Sequence, residues 1–251
     1  MTDLSLVKEL ELIGCRAWRA AEIEKHEGWF LRANQGVTRR ANSVLPVTFT
    51  GNRLDTAIEH AIRFYRDRGL PTFFQLTVAS QPPHLDETLE TRGFVRELEV
   101  HVQVASMSTV ADCTNEIVVE IQKTADDVWR RCFATAEGFD EETVRIRQGI
   151  MQRASGLSAY ALARVDSEPA GVGFGVVTDD WLGLFGIATV ERHRRKGVGT
   201  AITTALAVWG EKMGAEHAYL QVEVLNAPAL RLYGQLGFET AYTYWYRLLQ
   251  C

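Results

Sequence analysis

One pattern occurs twice in this 251-residue chain, and it narrows the fold more than any composition figure. A helical stretch ends at Gly69, the strand-like FFQLTV follows, and a short helix ends at Gly93-Phe94. Later a helical stretch ends at Gly214, AYLQVEV follows, and a short helix ends at Gly237-Phe238. Gly69 to Gly93 spans 24 positions, and Gly214 to Gly237 spans 23. Self-similarity at a fixed period signals a duplicated unit. A Gly just past the last periodic residue suits a left-handed helix end. The repeat predicts two related lobes, residues 1–110 and 116–251, with the small, polar run Ala105–Asp112 at their boundary.

Periodicity fills in the rest. Helices are predicted at Leu4–Trp18, at Leu54–Arg68 (Leu54, Ile58, Ala61, Ile62 and Tyr65 on one face) and at Leu85–Arg92. Thr72–Ala79 and Val95–Val104 read as strands. Trp29–Ala33 and Arg40–Val47 flank the turn residues Asn34-Gln-Gly36 and predict a hairpin. In the second half a strand at Glu116–Ile121 precedes helices at about 125–136 and 141–152. Three runs then follow closely, Ser158–Arg164, Gly171–Val177 and Leu182–Thr189. The turn signals between them predict an antiparallel meander. After a basic Gly-rich turn, Val198, Ile202, Ala205, Leu206, Trp209 and Met213 form one helical stripe. Strand Ala218–Val224, helix Ala227–Gln235 and strand Glu239–Leu249 complete the chain.

Composition excludes several classes. With 46% apolar residues, the chain can offset the entropy of ordering a core. A net charge of -5, from 27 basic and 32 acidic residues, argues against nucleic acid or an anionic membrane as partner. No signal-peptide h-region or membrane-length apolar run is present. Cys15, Cys113, Cys132 and Cys251 form no CxxC pair. Reduced thiols and a cytoplasmic location are the expectation. The six histidines show no HExxH spacing, so no metal is expected, and no G-x-S-x-G elbow is present.

The chemical signal is Arg194-Arg-Lys-Gly-Val-Gly199, placed between a strand and a helix. Gly197 and Gly199 let backbone approach a ligand. The first turn of a helix offers unpaired N–H groups and a dipole that favours an anion. Arg194, Arg195 and Lys196 add charge-assisted donors. Together they describe a pyrophosphate cradle, although a basic turn with a purely structural role explains the hexapeptide equally well. The P-loop and the dinucleotide fingerprint both fail: no Ser or Thr follows Lys196-Gly197, and position 202 is Ile.

In context the loop resembles the GCN5-related N-acetyltransferase (GNAT) superfamily over about residues 116–251. Gly186-Ile-Ala-Thr189 followed by Arg194-x-x-Gly-x-Gly199 resembles its fourth strand and acetyl-CoA loop. Leu220-Gln-Val-Glu-Val-Leu-Asn226, Leu232-Tyr233 and Gly237-Phe238 resemble its fifth strand and following helix. The resemblance implies an α/β (α+β) fold: a mixed, mostly antiparallel sheet flanked by helices, in two GNAT-like lobes. It gives Ile187, Ala188 and Thr189 to the pantetheine arm and acetyl carbonyl. Arg194, Arg195, Lys196, Gly197, Val198, Gly199 and Thr200 go to the pyrophosphate, and Asn226 contacts the cofactor. Tyr233 is the general acid toward the departing thiolate, a fitting role for a phenol of pKa about 10. In the first lobe Leu89 stands where Tyr233 stands in the second, and Thr50–Arg53 lacks the loop motif. That lobe therefore reads as a worn copy that shapes the acceptor cleft.

Two departures matter. Val190–His193 carries no Pro, so entry to the loop differs from the common pattern. Gln221 stands where some members place a catalytic Glu. Glu223, on the same strand face, is the first candidate for general base. Asp179, Asp180 and Glu137 are rivals; a water-mediated base or an amine that arrives neutral also fits. The implied activity is acetyl transfer from acetyl-CoA to a primary amine of a small molecule, by direct attack in a ternary complex. A protein Lys or N-terminal amine is the alternative acceptor, and a non-catalytic acyl-CoA-binding module is the alternative class. Many members dimerise, so the resemblance admits a homodimer.

Overall fold

A computed structural model describes residues 3–111 and 117–250. In chain order the elements are α1 (Leu4–Ala17), β1 (Glu22–His26), β2 (Trp29–Ala33), β3 (Val44–Leu45), α2 (Leu54–Arg66), β4 (Thr72–Leu76), α3 (Leu85–Thr91), β5 (Val95–Ser106) and α4 (Met107–Ala111). Then come β6 (Val118–Gln122), α5 (Asp127–Glu137), α6 (Glu141–Gln152), β7 (Leu157–Val165), β8 (Glu168–Thr178) and β9 (Trp181–Thr189). The chain finishes with α7 (Val198–Lys212), β10 (His217–Glu223), α8 (Ala227–Gln235) and β11 (Glu239–Leu249). It divides into two compact units, residues 1–101 with 241–251, and residues 102–240.

These units differ in their bounds from the expected lobes. Residues 241–251 belong with the first unit, because β11 pairs antiparallel with β4 from Trp245↔Leu76 to Leu249↔Thr72. The run expected at the lobe boundary is structured through Ala111: β5 extends to Ser106, and α4 buries Met107 and Val110. Asp112–Glu116, with Cys113, and the terminal Cys251 lie outside the described residues. Cys15 and Cys132 are free and buried.

The repeated glycines end their helices in one way. Gly69, Gly93, Gly214 and Gly237 all have φ between 64° and 92°. At each, the following residue donates its N–H to the carbonyl five residues back. Leu70 N bonds Tyr65 O, Phe94 N bonds Leu89 O, Ala215 N bonds Gly210 O and Phe238 N bonds Tyr233 O, each at 3.0 Å. This six-to-one bond is the Schellman closure, and it needs the left-handed residue that Gly supplies without a Cβ penalty.

In the first unit the strands lie in the order β1-β2-β3-β4-β11-β5. The predicted hairpin is only partly realised. β2 and β3 do pair antiparallel, but β3 is just two residues, since Arg39–Ala41 form a 3-10 turn. Asn42 holds that loop: its Oδ1 accepts from Asn34 N and Gly36 N, and its Nδ2 donates to Val37 O and Thr38 O. The tight hairpin is instead β1–β2, closed through Glu27-Gly28 at φ 47° and 91°. Both central residues are left-handed, as that turn type requires. The polar sequence of β1, an edge strand, hides it from an apolar-pattern reading.

In the second unit the order is β10-β9-β8-β7-β6. The meander is antiparallel, and β10 adds in parallel beside β9. The two faces differ in bulk. Ala159, Ala161 and Ala163 of β7 and Gly171, Gly173 and Gly175 of β8 form one face. A Cβ on Gly173 would lie 2.5 Å from Ile202 of α7, and one on Gly171 2.7 Å from Val198. The small residues thus let α7 lie directly on the strands and bury Val198, Ile202 and Leu206. The other face carries Tyr160 and Phe174, and α5 covers it with Trp129, whose indole donates to Ala161 O at 2.9 Å. Burying each large side chain is worth about 1.5–3 kcal/mol. Among the described residues no helix is long and apolar enough to cross a membrane.

Candidate active site

The site begins where the β9–β10 ladder stops. Parallel pairing runs from Trp181↔His217 to Leu184↔Leu220. Beyond it β9 bulges: Phe174 of β8 faces Phe185, yet Val172 faces Ala188, so β9 carries an extra residue. Gly186, at φ 55°, sits in that bulge. A bulge of this kind bends its strand and re-aims the groups beyond it. Ile187, Ala188 and Thr189 follow, past the end of the β10 ladder; Ala188 and Thr189 pair again with β8, opposite Val172 and Gly171. Phe133 of α5 and Met151 of α6 close over the bulge, 3.5 and 3.7 Å from where a Cβ on Gly186 would lie.

The basic loop comes next. A 3-10 turn at Glu191–His193 replaces the missing Pro and buries His193. Arg194 donates its Nε to Thr189 O at 3.4 Å. Arg195 is left-handed at φ 61°, and Gly197 at φ 81° starts α7 with no side-chain cap. Arg194, Arg195 and Lys196 are exposed. Backbone N–H groups at the first turn of α7, flanked by these cations, form an arrangement that favours an anion.

Gly199 also packs closely on α8. A Cβ there would meet Leu232 Cδ1 of α8 at 2.8 Å. The glycine therefore eases the close contact of α7 with α8. Asn226 caps α8, accepting from Ala229 N at 3.2 Å through Oδ1. Thr200 lies half-buried in the first turn of α7.

Tyr233 packs against Phe238 with ring centroids 5.9 Å apart. Burial, and then the Glu137 carboxylate, push its hydroxyl up to about 12. Glu137 is the last residue of α5, one turn beyond Phe133 and just before left-handed Gly138. Its side chain is exposed, but its carboxyl is partly desolvated. That desolvation raises its pKa, against the opposing pull of Arg147 and Arg194. Glu137, Tyr233 and Arg194 are thus electrostatic neighbours.

The other candidate carboxylates lie at the two ends of these strands. Asp179 and Asp180 form the turn that opens β9, and eight or so residues at about 3.3 Å each separate them from Thr189. That placement removes both as candidate bases. Glu223 ends β10 on the open side and is exposed. Glu223 therefore stays a candidate base at the open end of β10, beside Glu137 at the end of α5.

A strand pair that opens beside a bulge, a cationic helix N-terminus and a half-buried phenol define a GNAT-class acyltransferase. The comparisons agree. Residues 4–247 match the family described as "Probable histone acetyltransferase Rv0428c C-terminal". The chain belongs to that family, within the GNAT superfamily, and is an N-acetyltransferase built of two lobes. It is 30% identical over 245 residues to "Uncharacterized N-acetyltransferase YobR" of Bacillus subtilis (strain 168), covering 96% of this chain and 98% of that one. Its fold is similar to a GCN5-related N-acetyltransferase from Kribbella flavida, at TM-score 0.72 and 18% identity, over 99% and 96% of the two chains. It is also similar to a tandem GNAT protein from the clavulanic acid biosynthesis pathway, at TM-score 0.64 and 11% identity, over 96% and 87%.

Proposed function

We propose that the second unit moves the acetyl group of acetyl-CoA to a primary amine of a small molecule, with donor and acceptor bound together. The observation that carries this reading is the meeting, at one end of β9 and β10, of the opened ladder, the uncapped start of α7 and Tyr233. Acetyl-CoA supplies the activated thioester. The residues suit it: Arg194, Arg195, Lys196 and the N–H groups of Gly197–Thr200 for its phosphates, and the backbone of Ile187–Thr189 for its arm and carbonyl. N–H donors fixed in a bulged strand stabilise negative charge on that oxygen without reorganising. Asn226 keeps its amide nitrogen for the ligand while its oxygen caps α8.

Tyr233 donates a hydrogen bond to the departing sulfur. A phenol raised to about 12 stays protonated throughout the neutral range. Full transfer to a thiolate, whose conjugate thiol has a pKa of about 8.5, is uphill. Tyr233 therefore acts by donation as charge develops on sulfur. Glu137 takes the proton of the attacking amine. A carboxyl raised above its usual range is a better base at neutral pH than an ordinary one. Holding both substrates in place supplies much of the rate.

A second reading, with a protein Lys or N-terminal amine as acceptor, is favoured by the histone acetyltransferase description of the matching family. One assay separates them. Thiol release from acetyl-CoA is followed with a panel of small amines and with Lys-bearing and free-N-terminus peptides, for wild type and Tyr233→Phe. Turnover on small amines that depends on Tyr233 supports the first reading. Turnover on peptides alone supports the second. Acetyl-CoA binding with no turnover on either overturns both.

A further inference from the structure

The first unit holds a cluster of metal-ligating side chains separate from acyl transfer. Edge strand β1 turns Glu22, Glu24 and His26 to one face, because side chains alternate. Their cross-strand partners on β2, Ala33, Leu31 and Trp29, join the core beneath α2. The β1 face instead meets polar groups of the helix and the turn that follows it. Arg68 pairs with Glu22, and His60 Nε2 lies 2.5 Å from Glu24 Oε1. The His26 and His60 rings stack with centroids 3.8 Å apart and planes at 8°. The donor atoms of Glu24, His26 and His60 all lie within 4.8 Å of one another, and all three residues are half-buried. The Nε2 of His26 is buried and has no hydrogen-bond partner.

A buried nitrogen without a partner carries an unrecovered desolvation cost. An ion pair between Glu24 and His60 explains those two residues, but it leaves His26 unexplained. A cation shared by all three explains every member. We propose that Glu24, His26 and His60 form a binding site for a divalent first-row transition metal, with Zn2+ the best-fitting ion. Two imidazoles and one carboxylate are a zinc donor set that leaves a fourth position for water. Imidazole favours zinc, copper, nickel and iron over magnesium or calcium. Bonds of about 2.0–2.2 Å to a tetrahedral ion would draw the donors inward and replace the ring stack. The ion would pin the edge strand to α2. Sequence spacing conceals the set: two members are i and i+2 on a strand, and His60 lies 34 positions beyond His26.

A second grouping, Asp180, Glu216 and His217 in the other unit, is exposed at all three residues and serves as a control. The test uses the full chain, stripped with chelator and titrated with Co2+ and then Zn2+. Visible absorption reports Co2+ coordination, and calorimetry reports Zn2+. The expected result is about one equivalent bound per chain, with Zn2+ displacing Co2+. His26→Asn, His60→Asn and Glu24→Gln should each weaken binding by at least the ~10–100-fold that outer-shell partners are worth. Circular dichroism establishes that each variant is folded, and His217→Ala should leave binding unchanged. Absence of binding by wild type overturns the proposal. So does binding that survives the three substitutions or is lost with His217→Ala.

Discussion

Glu137 lies close enough to Tyr233 for its carboxylate to strengthen the hold of the phenol on its proton, adding to the effect of burial. The two residues come from α5 and α8, nearly a hundred positions apart in the chain. Replacing Tyr233 by Phe keeps the ring contact with Phe238 and removes only the donor. The account predicts a fall in kcat of about 10²-fold or more, typical of general acid–base groups, with acetyl-CoA affinity near wild type. Steady-state kinetics with a parallel binding titration checks both halves.

Glu137 makes a pH prediction with a definite sign. Its folded pKa is raised by desolvation above 4.5, so as a base it is lost when pH falls through that raised value. The acid limb of the kcat/KM profile should follow it and disappear in Glu137→Gln, while Glu223→Gln retains it. Stability runs the other way. The folded state binds the proton more tightly than the unfolded state, so this residue's contribution is full below about 4.5 and is lost as pH rises through the folded value. Glu137→Gln should therefore be more stable than wild type at pH 7, with the gap closing in acid. Thermal denaturation at pH 4 and pH 7 reads this directly.

The cation cluster predicts a salt effect. Arg195 and Lys196 are exposed, so Arg195→Ala/Lys196→Ala should fold normally. Each lost charge-assisted bond is worth about 1.5–3 kcal/mol, or roughly tenfold or more in affinity. Titrations of acetyl-CoA at several salt concentrations should show weaker binding by the variant and a shallower salt dependence.

Gly173 predicts a stability effect unrelated to catalysis. A Cβ there would stand 2.5 Å from Ile202 and 3.2 Å from Leu206. Gly173→Ala should destabilise the protein by about 1–3 kcal/mol, the usual cost of overpacking a tight core. Denaturant unfolding measures it.

Much of this was legible in the chain. The Gly69/Gly93 and Gly214/Gly237 pairs set the lobes because left-handed helix ends favour Gly, and all four adopt that conformation. The meander, α6, α8 and β11 follow from periodicity and turn residues. What escaped depends on tertiary placement. Edge strand β1 is polar, so no apolar pattern marks it. β11 joins the first unit through pairing with β4, which no local signal encodes. The contact of Gly199 with Leu232 of α8 is likewise set by the fold alone. That Glu137 comes beside Tyr233 depends on the packing of α5, which no local signal encodes.

Calorimetric titration with acetyl-CoA of wild type and of Gly197→Trp tests the central claim most directly. Gly197 starts α7 at φ 81°, where a bulky side chain is strained and would fill the approach to the helix N-terminus. The account predicts micromolar binding by wild type that is lost in the variant, with helix content retained. No binding by wild type, or equal binding by both, would contradict it.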